Sequence, residues 1–295
     1  METSFSATYR THPVHVFPWL EIQAGHNTLA EALYQLVSIS PASQLIVIDG
    51  FVGLQWEIFI SALQTALHRL TPHTRWLSTE TCFRPAAEIR DLLALSLTSD
   101  PVFGRFFRGH LEELWDPDKL AALRTSIAHH MLMDRNVVTP LVGVRPPPSP
   151  SSNEGAGVRP DLLTIVYGFG ASYVTSAGVQ VYVDVPKDRG QQLAAQGFVC
   201  NVGAAEPEGF GAMYKRMYFV DWPMLNRLKR TALPHMDLFV DGTESTAPSF
   251  VSGVAFRHAL RELAQQPFRV KPWFAPGPWG GQWMKEQFGL PPEQP

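Results

Sequence analysis

The period of the apolar positions changes several times along the chain, and each change predicts an element. Leu29, Leu33, Leu36 and Val37 fall on one helical face, which predicts a helix over 27–39. Thr28 followed by Glu31 has the spacing of a capping box at its start. QLIVIDG at 44–50 is a short unbroken apolar run closed by Asp-Gly, the pattern of a strand buried on both faces. Gly50 and Gly53 then bound a tight loop, and Trp56, Phe59, Ile60, Leu63, Leu67 and Leu70 return to helical spacing. Further helices are predicted over 85–99 and 117–133, with Pro85 and Pro117 where a first-turn proline is tolerated.

The second half repeats this alternation. LLTIVYGFG (162–170), VQVYVDV (179–185) and MDLFVDG (236–242) read as buried strands, and 186–196, 214–230 and 256–265 as helices. Strands alternating with helices predict an α/β fold, three-layered around a mainly parallel sheet. GVRPPPSPSSNEGAGVRP (143–160) has too little apolar content for a core and reads as a flexible surface insertion; a domain boundary is the other reading. The division is an α/β domain over 1–266 and an aromatic-rich extension over 267–295.

Composition narrows the functional classes. With 295 residues, 45% of them hydrophobic and a net charge of −3, the chain can bury a large core. It offers no global attraction for nucleic acid or an anionic membrane. Cys82 and Cys200 are the only cysteines and lie far apart, so neither a thiol zinc site nor a disulfide framework is expected. No basic segment precedes an apolar core at the N-terminus, and no apolar run approaches membrane length. The expectation is a cytoplasmic protein.

The loop after the first buried strand is the first chemical candidate, since open α/β sheets bind ligands beyond the carboxyl ends of their strands. A phosphate loop has the form GxxxxGK[ST], with backbone amides, a lysine and a hydroxyl around phosphate and magnesium. Counted from Gly50, the last three places here hold Gln55, Trp56 and Glu57. Gly50 and Gly53 remain candidate phosphate contacts; a strand-to-helix turn with no ligand is the alternative. Lys187, Arg189, Lys215 and Arg216, with Arg227, Lys229 and Arg230 beyond them, form a cationic stretch. It either closes over a phosphate or is a solvated helix face.

The order of these segments resembles the uridine kinase group of P-loop kinases. LIVIDG is similar to their first strand and ELWDPDKL (113–120) to their acceptor-site segment, which implies Asp116 as general base; a helix N-cap is the competing role. The strand that ends in Glu-Gly in those kinases here ends in Tyr167-Gly168. VQVYVDVPKDRGQQL resembles the strand leading to their basic lid helix, which implies Lys187 and Arg189 as lid cations.

The last third resembles another family. YKRMYFVDWPMLNRLKR, MDLFVDG and PFRVKPWFAPGPWGGQWMKEQFGLP resemble the extended bacterial class I mannose-6-phosphate isomerases, in which a kinase-like region precedes a cupin. The likeness is most specific at 268–290 and implies that this segment opens a cupin whose remainder is absent. A tail packed on the α/β domain is the other reading. The resemblance implies zinc only in that cupin. No Gln-x-His pair occurs in the chain, and its ten histidines show no paired ligand pattern.

Three functions follow as expectations. The first is an isomerase-type protein present as its kinase-like module and without isomerase turnover. The second is a sugar or nucleoside phosphotransferase using magnesium-ATP and a degenerate phosphate loop. The third is a non-catalytic module that binds a nucleotide or phosphosugar or docks a cupin partner.

Overall fold

The computed structural model describes residues 14–39, 44–135, 162–266 and 289. The expected insertion over 143–160 and nearly all of the aromatic extension lie outside these. The chain divides into two compact units, Met1–Ala259 and Leu260–Pro295. The sheet and every site discussed below belong to the first; of the second, only the end of one helix and Gly289 are described.

Seven strands form one sheet: β1 (Gln23–Ala24), β2 (Leu45–Gly50), β3 (Thr74–Ser78), β4 (Leu163–Tyr167), β5 (Val179–Asp184), β6 (Leu238–Asp241) and β7 (Ser249–Ser252). Their order across the sheet is β1-β7-β6-β5-β2-β4-β3. The run from β3 to β6 is parallel throughout, and β7 and β1 add antiparallel pairs at one edge. The fold is mixed α/β. β2 is the middle strand of the five-stranded parallel run, and all six of its residues are buried, which accounts for its unbroken apolar sequence.

Alternation along β2 divides the core into two layers. Ile46 and Ile48 join one cluster with Leu29 and Leu33 of α1 (His26–Ile39) and Phe59, Leu63 and Leu67 of α2 (Trp56–His68). Leu45 and Val47 face the other cluster. That layer holds α3 (Ala86–Leu97), α4 (Pro117–Arg135), the single turn α5 (Ala171–Val174), α6 (Lys187–Ala195), α7 (Phe210–Arg216) and α8 (Trp222–Ala232). A last helix, α9 (Gly253–Gln265), follows β7.

α7 and α8 are joined without a break by one π-turn, Met217–Asp221. Their shared buried face runs through Met213, Met217, Val220 and Leu225. The wide turn lies beside the 101–107 segment, where the Phe107 amide donates to the Phe219 carbonyl at 2.8 Å.

Most predicted elements stand within two or three residues of their sequence positions. One local expectation is corrected. α1 starts at His26, with Gly25 at φ +90° and its carbonyl accepting from Leu29 at 3.0 Å. Thr28 therefore lies inside the first turn and is not its cap, because glycine takes this backbone conformation without the Cβ penalty that a threonine carries. The short strands β1, β3 and β7, of which β1 and β3 are the sheet edges, were not predicted. They are two, five and four residues long, and the sequence of β3, TRWLS, has no apolar run.

Gly178, at the start of β5, has φ +84°, and a Cβ there would stand 2.4 Å from the Leu45 carbonyl oxygen of β2. Backbone strain and a backbone clash act together at this position. Gly178→Ala is expected to lower stability by about 2 kcal/mol or more, read as a fall in the urea midpoint with an unchanged slope.

Candidate functional site

The carboxyl end of β2 places Asp49 under the second helical layer with 1% of its surface exposed. Four donors converge on its carboxylate. Oδ1 accepts from the Gly50 and Gly170 amides at 2.8 and 2.9 Å, and Oδ2 from the Ser172 amide at 3.1 Å and the Ser172 hydroxyl at 2.5 Å. Burial pushes the Asp49 carboxyl up to about 6, against the lowering effect of Ser172, Gly170 and Gly50. Four accepted bonds fill the lone-pair sites of a carboxylate, so Asp49 is an anchor between β2 and α5.

The glycine loop beyond it is closed. A Cβ on Gly50 would meet the Trp56 ring at 2.8 Å, and one on Gly53 (φ +107°) would meet Gly190 Cα of α6 at 2.8 Å. The Phe51 amide donates to Val183 at 3.0 Å, Leu54 to Phe51 at 3.3 Å and Trp56 to Leu54 at 3.1 Å. Trp56 holds the place of the lysine in a phosphate loop, and its ring stands edge-on to Phe169 at 5.6 Å. The glycines permit close packing, and four of the local amides, counting Gly50, already have protein acceptors.

The predicted cations go to different places. Lys187 lies 5.3 Å from the Trp222 ring centroid. Arg189 donates to the Thr243 carbonyl and pairs with Glu244 at 3.2 Å. Lys229 contacts Asp184 and stands 5.8 to 5.9 Å from the ring centroids of Phe51, Tyr182 and Phe239. Only Lys215 and Arg216 come together. They border a cavity of about 820 Å³ between α3, the 203–208 loop and α7, which Arg90, Glu206 and Glu208 also line. The Lys215 ammonium donates to the Thr98 and Asp100 carbonyls. Arg216 donates to the Val202 carbonyl and lies 3.8 Å from the buried Asp221. Arg90 is exposed on the opposite wall.

Asp116 caps α4. Its Oδ1 accepts from the Asp118 and Lys119 amides at 2.9 and 3.2 Å, and these bonds, that of Lys119 first, hold its carboxyl below the usual range. Both of its competing sequence readings placed it at the start of α4, and the capping bonds account for its geometry.

A second cavity, of about 590 Å³, opens between the sheet and the α5–α8 side. Asp49, Ser172 and Tyr182 line its inner part, and Tyr173, Thr231 and His235 lie further along its wall. Tyr182 is 1% exposed, and its hydroxyl is buried with no hydrogen-bond partner. Burial, then Asp49 and Asp184, push this phenol well above its ordinary value, so it keeps its proton. Sequence reasoning missed Asp49, Tyr182 and Arg90. The signals were an acid inside an apolar strand and a tyrosine at the centre of VQVYVDV. Among the described residues no group of three or more His, Cys, Asp or Glu side chains could hold a metal, and no helix is long and apolar enough to cross a membrane.

The raised Asp49 carboxyl has a defined sign in stability. The unfolded group titrates near 3.8 and the folded one near 6. Its contribution is therefore full below 3.8 and lost as pH rises through 6. Asp49→Asn removes that loss, so the stability of the variant relative to the parent is expected to rise between pH 4 and 6 in urea titrations. Asp49→Ala leaves three amides without their acceptor, and is expected to cost on the order of 3 kcal/mol at pH 5.

No curated protein matches the chain. A family described as a domain of unknown function, DUF8485, matches residues 25–143 and 151–265. That match takes in every described element after β1 and most of the chain, which therefore belongs to the DUF8485 family.

Proposed function

We propose that this chain is a non-catalytic, P-loop-kinase-like module that binds a phosphorylated small molecule, a sugar phosphate before a nucleotide. The reading rests on one observation: Lys215, Arg216 and Arg90 line one cavity large enough for such a ligand. Arginine forks match phosphate oxygens, and the Glu206 and Glu208 carboxylates beside them suit sugar hydroxyls. The frame supports the kinase likeness: the first parallel strand is central, and the chain leaves it by a glycine turn into a helix. The closed loop speaks against transfer, since phosphoryl transfer depends on positioned amides and charge, and here Trp56 and Gly190 pack against the glycines.

The module is of the kind that the isomerase resemblance implies. On this reading it does not itself interconvert mannose 6-phosphate and fructose 6-phosphate. The phosphotransferase reading would need Asp116 as a base, and both its capping bonds and the closed loop disfavour it.

Calorimetric titration tests the proposal. Mannose 6-phosphate is expected to bind, and Arg90→Ala to weaken it about tenfold, the loss of one charge-assisted contact. Magnesium-ATP is expected to give no phosphoryl transfer. Transfer to any sugar, or sugar-phosphate binding indifferent to Arg90→Ala, would overturn it. Asp116→Asn is expected to leave binding and melting temperature unchanged, because asparagine caps as well as aspartate.

A further inference from the structure

The α5–α8 cavity differs chemically from the cationic one, and no function above uses it. Among the described residues that line it there is no lysine or arginine. Two carboxylates line it instead, a buried one whose acceptor sites are filled and an exposed one. Asp49 has four donors already, and Asp237 accepts from the Gln180 amide at 2.8 Å and lies exposed. An anion would meet two acids with only the exposed His235 imidazole beside them, and a cation would find only the solvated Asp237 carboxylate. What remains is hydroxyl chemistry. Ser172 donates to Asp49 and lines the wall with Ser176 and Thr231, and Tyr173 adds a phenol.

The unpartnered Tyr182 hydroxyl gives this cavity an occupant. A buried donor without an acceptor costs about 1–3 kcal/mol, and of the seven buried side-chain atoms without a partner among the described residues only the Tyr182 hydroxyl belongs to a residue lining this cavity. We propose that the cavity binds a neutral, hydroxyl-bearing small molecule of polyol to monosaccharide size, with the Tyr182 hydroxyl donating to it at the inner end. Each ligand hydroxyl both donates and accepts, as the serine, threonine and tyrosine hydroxyls here do. The half-buried Tyr173 ring offers flat apolar surface to the C–H faces of such a molecule. This site is independent of the phosphate reading, because Arg90, Lys215 and Arg216 do not line it.

The test uses the full chain and four named probes: glycerol, myo-inositol, D-glucose and D-glucose 6-phosphate. Saturation-transfer NMR detects contact, and titration gives the affinity. At least one neutral probe is expected to bind saturably. Tyr182→Phe is expected to weaken that probe by about fivefold to tenfold, one neutral hydrogen bond, while Arg90→Ala leaves it unchanged. In the absence of ligand, Tyr182→Phe is expected to keep or raise the melting temperature, because it removes a polar group that has no partner. Binding of glucose 6-phosphate that Arg90→Ala abolishes would report the other cavity and leave the neutral probes as the measure of this one. The inference is overturned if no neutral probe binds, if Tyr182→Phe leaves neutral binding unchanged, or if that variant loses stability.

Discussion

The Asp49 carboxylate is the constraint on which the rest of this architecture depends. It stands at the end of the central strand, out of water, and holds the turn that opens α5 through Gly170 and Ser172. An ion in such a place is tolerated only when its acceptor sites are filled, so the α5 turn must stay close to β2. That closeness fixes the inner wall of the α5–α8 cavity. Tyr182, opposite Asp49 in the β2–β5 register, is brought to the same place by strand pairing.

Close packing governs the neighbouring loop in the same way. Gly53 and Gly190 allow α6 to approach the loop at backbone distance, and Trp56 covers Gly50. A glycine pattern that in another context frees amides for phosphate here brings two elements together. The cations that sequence proximity groups into one stretch are separated by the fold. Arg189, Lys215, Arg216 and Lys229 each have an acid or a carbonyl beside them, whereas Arg90, which lines the same cavity as Lys215 and Arg216, is exposed.

How much of this was legible in the sequence depends on how locally each feature is encoded. β2, β4, β5 and β6 were readable because strands buried on both faces must be apolar over their length. The longer helices were readable from their period; α5, a single turn, was not. β3 and β7 were not, because neither carries an apolar run and their pairing is set by other strands: β3 meets partners 89 residues away, and β7 is paired with β6 on one side and with β1 on the other. Asp116 was legible as a cap, since capping is a matter of three residues. Asp49, Tyr182 and Arg90 were not legible as site residues: each gains its setting from segments distant in sequence, Asp49 from residue 170 onward and Arg90 from the 203–216 region. The spacing that carried the phosphate-loop expectation says nothing about which side chain comes to lie over the glycines.

The π-turn at Met217–Asp221 makes one further geometry a matter of counting. A π-turn holds one residue more than an α-turn, and each residue of an α-helix advances the side chains by about 100°. α7 and α8 are thus two helices of fixed relative phase joined end to end. A chain one residue shorter here would run on as regular helix, with every side chain of α8 rotated about the axis by that amount relative to α7. Lys229 would turn away from Asp184 and Leu225 from the core. The pairing at the carboxyl end of β5 therefore rests on the number of residues in one turn, whatever those residues are.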